Sequence, residues 1–133
     1  MSARPGETPA MDAVIEVQHL FKRYPEQTAV DGISFAVPRG EFFGLLGPNG
    51  AGKTTTIRML YGFTPPTRGV IRIFGLEIGR DCRRIKMRMG VCQQDNTLDP
   101  DLTVEQNLVV FAGYFGIRAR EARDRARELL EFF

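Results

Sequence analysis

The 133-residue chain is long enough for one domain of ordinary size, and its 43% hydrophobic content suits a folded core rather than a disordered polymer. A formal net charge of +2 is too small to imply nucleic acid or an anionic membrane as a partner. No apolar run approaches the ~20 residues that a membrane-crossing helix needs, so any membrane role is expected to come through a partner, with the chain itself in the cytosol.

In chain order, residues 1–12 contain Pro5, Gly6 and Pro9 and lack the hydrophobic centre of a signal peptide. They read as a disordered leader, with a folded domain from 13 to 133. Residues 13–20 mix Val14 and Val17 with polar neighbours and suit a strand. Residues 22–27 are turn-like. Ile33-Ser34-Phe35-Ala36-Val37 alternates apolar with polar and reads as a half-buried strand. After the turn signal Pro38-Arg39-Gly40-Glu41, the unbroken run Phe42-Phe43-Gly44-Leu45-Leu46 suits a strand buried on both faces, as in a parallel sheet. A helix is predicted over 54–61, with Ile57, Leu60 and Tyr61 at helical spacing, stopped by Gly62 and Pro65-Pro66.

Residues 69–75 form a further strand between glycines. The basic stretch 82–88 is predicted helical. With Arg80, Arg83, Arg84, Lys86 and Arg88 it could suggest nucleic acid. Asp81 interrupts it and no aromatics are interleaved, so a solvated helix face is the better reading. Residues 89–93 are a short strand candidate. Thr103-Val104-Glu105-Gln106 has capping-box spacing and predicts a helix over about 104–114, ending at Gly116. The last segment places Ala122, Ala126, Leu129, Leu130 and Phe133 on one face, with Glu121 four residues before Arg125 on the other. It ends without Gly, Asn or Pro, which reads as a cut within a helix or at its last turn. Cys82 and Cys92 are the only cysteines and His19 the only histidine. A structural zinc site, which needs four ligands, is not expected, and both cysteines read as reduced thiols.

The chemistry concentrates in Gly47-Pro48-Asn49-Gly50-Ala51-Gly52-Lys53-Thr54-Thr55, which satisfies G-x-x-x-x-G-K-[ST]. Phosphate oxygens must be met by a row of backbone N–H groups that side chains do not block, and Gly50 and Gly52 permit this. A helix following the loop presents its positive end to the anion. Lys53 can reach the β- and γ-phosphates, and the Thr54 hydroxyl can join a Mg²⁺ shell. The bare pattern arises by chance in roughly one chain of this size in a few hundred. A preceding apolar run and a following helix make it far more specific than that.

The full nonapeptide resembles the phosphate loop of ABC-type ATPases, and other segments agree in order and spacing from about Val14 to Phe133. Tyr24, after Leu20-Phe21-Lys22-Arg23, stands where that family places its adenine-stacking aromatic. Pro66-Thr67-Arg68-Gly69 and Phe74-Gly75 resemble the strand after the phosphate-loop helix. Gly90-Val91-Cys92-Gln93-Gln94, followed by residues 98–108, resembles the Q-loop and the start of the helical subdomain. The resemblance implies an α/β fold of the P-loop NTPase class: an N-terminal β-subdomain, the phosphate-loop strand and helix, and the beginning of the helical subdomain, truncated.

It further implies ATP and Mg²⁺ as ligands. Gly47, Pro48, Asn49, Gly50, Ala51, Gly52, Lys53, Thr54, Thr55 and Tyr24 would hold the nucleotide, and Thr54 and Gln94 would approach the metal. Lys53 and Gln94 would take part in hydrolysis, with Gln93 the alternative to Gln94. The family's signature motif, catalytic glutamate and switch histidine normally lie beyond the Q-loop region, and no segment here matches them; His19 precedes the phosphate loop. The resemblance therefore implies a parent ATPase that works as a dimer of ATP-binding subunits with a membrane-spanning permease, peripheral on the cytoplasmic face of the membrane. These 133 residues alone are expected to bind ATP weakly or not at all, for want of strands flanking residues 42–46, and to lack a general base. A soluble ABC-type ATPase of DNA repair or translation and a non-catalytic nucleotide-binding module are the competing readings. Residues 98–108 with Tyr114-Phe115-Gly116 look like the drug- and nodulation-factor-export group.

Overall fold

The computed structural model describes residues 12–92 and 97–133. The chain divides into two compact units, with the boundary between Gly90 and Val91.

In the first unit, β1 (Ala13–Arg23) and β2 (Thr28–Pro38) form an antiparallel hairpin. Backbone hydrogen bonds in both directions between Tyr24 and Gln27 close it, at 2.8 and 3.3 Å. β3 (Arg68–Ile73) pairs antiparallel with the other edge of β1, and the short β4 (Leu76–Glu77) continues the sheet in the order β2-β1-β3-β4. α1 (Lys53–Leu60) and α2 (Ile78–Lys86) supply Met59, Ile78 and Ile85 to a core shared with Val17, Leu20, Val30, Ile71 and Ile73. Arg80, Arg83, Arg84, Lys86 and Arg88 are exposed, Arg84 pairs with Asp81 at 2.9 Å, and the Arg88 guanidinium lies 4.2 Å from the Phe74 ring centroid.

β1 buries Val17 and Leu20, three residues apart, although a regular strand would send them to opposite faces. A bulge resolves the conflict. The register with both neighbouring strands shifts here, His19 takes φ 46°, and its N–H donates to Ser34 Oγ at 2.8 Å. Gly69, at φ +95°, lets β3 lie against the bulge, since a Cβ there would collide with the His19 backbone.

Three expectations are corrected. Residues 42–46 form no strand: Phe42 and Leu46 are 106% and 94% exposed. A strand buried on both faces needs a hydrogen-bonded neighbour and two covering layers. Among the described residues every strand belongs to the antiparallel sheet, and none pairs with this run. Phe43 stacks on Phe35 at 5.0 Å between ring centroids. Residues 89–92 likewise form no strand. In α1 the fully buried positions are Thr56 and Met59; of the expected apolar positions Leu60 packs against the core, whereas Ile57 is 47% exposed, so the inward face only partly matches the apolar spacing. Of the expected leader, residues 1–11 lie outside the described residues. Asp12 is tied down, its carbonyl accepting from Arg39 N–H at 3.1 Å.

The second unit is a helical hairpin of α3 (Val104–Tyr114) and α4 (Ala119–Phe132). The predicted capping box is formed: Gln106 N–H donates to Thr103 Oγ1 at 3.2 Å and Thr103 N–H to Gln106 Oε1 at 2.8 Å. Asn107, buried to 4% exposure, organises the entry to α3. Its Nδ2 donates to the carbonyls of Asp99, Leu102 and Thr103 at 3.0, 3.3 and 3.1 Å, and its Oδ1 accepts from Asp99 N–H at 2.9 Å. In α4 the small residues Ala122 and Ala126 are buried, but Leu129, Leu130 and Phe133 are exposed, so the expected apolar face is covered only along its first half. The expected Glu121–Arg125 pair forms at 2.6 Å.

Candidate functional site

The phosphate loop is shaped by local backbone demands. Ala51 N–H donates to Pro48 O at 3.2 Å, closing a turn over Asn49 and Gly50. Gly50 and Gly52 have φ +83° and +80°, in the left-handed region where a side chain is strained. Their reasons differ. A Cβ on Gly50 would meet nothing within 4 Å, so only its backbone angle calls for glycine. A Cβ on Gly52 would strike the Ala29 carbonyl oxygen, so glycine is also what lets the loop close on β2.

α1 starts immediately after Gly52, which offers no side-chain cap, and its first turn carries no acidic residue. The first intrahelical bond is Thr56 N–H to Gly52 O at 2.8 Å, so the N–H groups of Lys53, Thr54 and Thr55 have no acceptor within the helix. They add to the positive end of the helix dipole. Lys53 Nζ folds back to donate to Gly47 O and Pro48 O, both at 2.7 Å. The ammonium is thus held at the rim of the loop by neutral acceptors, from which a polyphosphate oxygen could draw it.

This donor set fits a polyphosphate: amides without helical acceptors, one cation and no competing carboxylate in the first turn. Among these groups only the Thr54 hydroxyl offers an oxygen that could ligate Mg²⁺, an ion that takes few protein ligands beside phosphates. Thr54 is exposed, and among the described residues no cluster of three His, Cys, Asp or Glu forms a cage that would hold the metal by itself. Gln93 and Gln94 lie outside the described residues.

Tyr24 stands in the tight turn between β1 and β2, 38% exposed, at the edge of a shallow hollow that it lines with Pro25, Glu26 and Gln27. Lys22 Nζ lies 5.1 Å from its ring centroid. The turn runs directly into Thr28 and Ala29, and Ala29 is the residue against which Gly52 closes. The same end of the hairpin therefore carries Tyr24 and abuts the phosphate loop. Sequence reading missed Lys22 and Ala29; the i, i+2 spacing that puts Lys22 on the same side of a strand as Tyr24 was the available signal for the first.

The fold and this loop are those of a P-loop NTPase of the ATP-binding-cassette kind. Residues 30–133 match the family model described as ABC transporter, and the chain belongs to that family. It is 53% identical over 127 residues to Nod factor export ATP-binding protein I of Ralstonia nicotianae, covering 96% of this chain and 38% of that one. Among solved structures it resembles cbiO1 from Clostridium perfringens, part of an ABC transporter complex, with 27% identity and TM-score 0.75 over 90% of this chain and 50% of that one. It also resembles a dimeric bacterial ABC transporter cassette, with 25% identity and TM-score 0.76 over 88% of this chain and 56% of that one. The chain spans about two fifths of the length of the curated relatives it matches. Among the described residues no helix is long and apolar enough to cross a membrane.

Proposed function

We propose that this chain forms the adenine- and phosphate-holding portion of an ATPase subunit that drives export through a partner permease. The single observation that carries the reading is the Gly52–Lys53 junction. Here a left-handed glycine packed on β2 starts a helix whose first amides have no helical acceptor, with an ammonium tethered beside them. Lys53 and the first-turn amides would bind the β- and γ-phosphates and offset the charge that grows on the transferring phosphoryl group. Gly47, Pro48, Asn49, Gly50, Ala51 and Gly52 would wrap the phosphates through their backbone, and Thr55 would contribute its amide. Thr54 would hold Mg²⁺, which would supply positive charge to offset that of the phosphates. Tyr24 would stack on the adenine. Gln94 is the proposed residue for orienting the attacking water and contacting the metal.

Export as the direction of transport is supported by the relatives named for Nod factor export. A second ATP-binding subunit is supported by the likeness to a dimeric cassette. With such partners the subunit would sit on the cytoplasmic face of the membrane. The test is equilibrium binding of ATP to the complete protein and to its Lys53→Ala variant, with ATP turnover measured in the presence of the permease. Binding that is indifferent to Lys53, or turnover that survives its removal, would sink the proposal.

A further inference from the structure

Lys22 makes two contacts that the phosphate chemistry does not use. Its Nζ donates to Pro65 O at 2.8 Å, reaching across to the loop that follows α1, and the same nitrogen lies 5.1 Å from the Tyr24 ring centroid. The strand segment that carries it is stitched to the same loop by one backbone–backbone bond and one backbone–hydroxyl bond. Thr67 N–H donates to Phe21 O at 2.8 Å, and Arg23 N–H donates to Thr67 Oγ1 at 3.0 Å. The ammonium is therefore held at a fixed point by a carbonyl, and from that point it occupies part of the aromatic surface of Tyr24. A cation over a ring restrains the ring through its quadrupole. Tyr24 stands at the hairpin turn and is 38% exposed, so part of its ring surface is open to a ligand.

We propose that Lys22 is a positioning residue for nucleobase binding, a cation anchored on Pro65 that fixes the Tyr24 ring so that its solvent-facing surface is ready to stack on a purine. The inference rests on the reading of Tyr24 as the base-stacking residue. Pre-setting the ring removes the ordering cost that stacking would otherwise carry. It also ties the base site to the far end of α1, the helix whose first turn is assigned to the phosphates.

The experiment compares ATP with inorganic tripolyphosphate, which has the phosphates and no base, binding to the complete protein and its Lys22→Met, Lys22→Arg and Tyr24→Ala variants. Lys22→Met is expected to weaken ATP binding about two- to fivefold, the size of a cation–π contact at an exposed site. Tripolyphosphate binding should be unchanged, which also shows that the loop remains folded. Lys22→Arg, which keeps both the donor and the cation, should retain ATP affinity. If Lys22→Met weakens both ligands equally, the lysine merely braces the loop and the proposal falls. If Tyr24→Ala weakens ATP and Lys22→Met does not, the proposal falls while the base-stacking reading stands. If Tyr24→Ala leaves ATP affinity intact, the base-stacking reading itself fails and takes the proposal with it.

Discussion

Gly52 and Ala29 are in backbone contact: the place a Cβ on Gly52 would occupy is taken by the Ala29 carbonyl oxygen, with Val30 Cγ2 3.2 Å away. A backbone carbonyl in a sheet cannot swing aside as a side-chain tip can. Gly52→Ala is therefore expected to combine strain at φ +80° with a displaced loop, destabilising the protein by about 2–4 kcal/mol and abolishing ATP binding. Gly50→Ala meets open space and should cost only about 1 kcal/mol from its backbone angle. Urea unfolding of the two variants, side by side, checks the difference; equal costs would show that the Ala29 contact is unimportant.

Lys53→Ala removes a cation whose present acceptors, Gly47 O and Pro48 O, are exposed loop carbonyls that water can satisfy. Stability should change by less than about 0.5 kcal/mol, as for surface positions. ATP affinity should fall about ten- to a hundredfold, the worth of a hydrogen bond to a charged group. Calorimetric titration and a thermal melt on the same sample separate the two effects.

Asn107→Leu keeps much of the side-chain bulk but strips four hydrogen bonds from the turn that leads into α3. Asp99, Leu102 and Thr103 would lose a partner for their carbonyls at a part-buried site, at a cost of about 1–3 kcal/mol. Faster protease cleavage within residues 99–103 is the expected readout. Thr103→Ala, which removes only the cap, should cost about 1 kcal/mol.

Residues 42–46 make a prediction about context. In residues 1–133 alone, their amides should exchange with solvent within seconds, because no strand pairs with them among the described residues. Were a further strand to pair with this run, the same amides should be protected by several orders of magnitude. Hydrogen exchange read by mass spectrometry distinguishes the two. The 133 residues alone should also show no steady ATP turnover, and turnover that Lys53→Ala abolishes would overturn this expectation.

What could be read from the sequence was what depends on a few adjacent residues. The capping box at Thr103 and Gln106, the helix after Lys53 and the strand between glycines around Ile71 are set by near neighbours, and all form. Gly50 belongs to the same class, since it answers to a local backbone angle alone, whereas Gly52 answers also to Ala29 on β2. What escaped depended on distant partners. The β1 bulge follows from β2 and β3 on either side of it, and the exposure of Ile57 on α1 follows from where the sheet lies rather than from its own apolar side chain. Asn107 looks like any polar residue in a helix until the turn folded around it is seen. The run at 42–46 was read from composition alone, and composition specifies burial only where there is something to be buried by.

The two ends of α1 are fastened to the same hairpin. At one end Gly52 is seated on Ala29; at the other, the segment after the helix is stitched through Pro65 and Thr67 to Phe21, Lys22 and Arg23. A helix pinned at both ends behaves as a strut rather than a lever: it can carry load but cannot pivot on its own. A pull exerted by phosphates on its first turn would then move helix and hairpin together, so that the turn bearing Tyr24 travels with the phosphate loop at constant spacing.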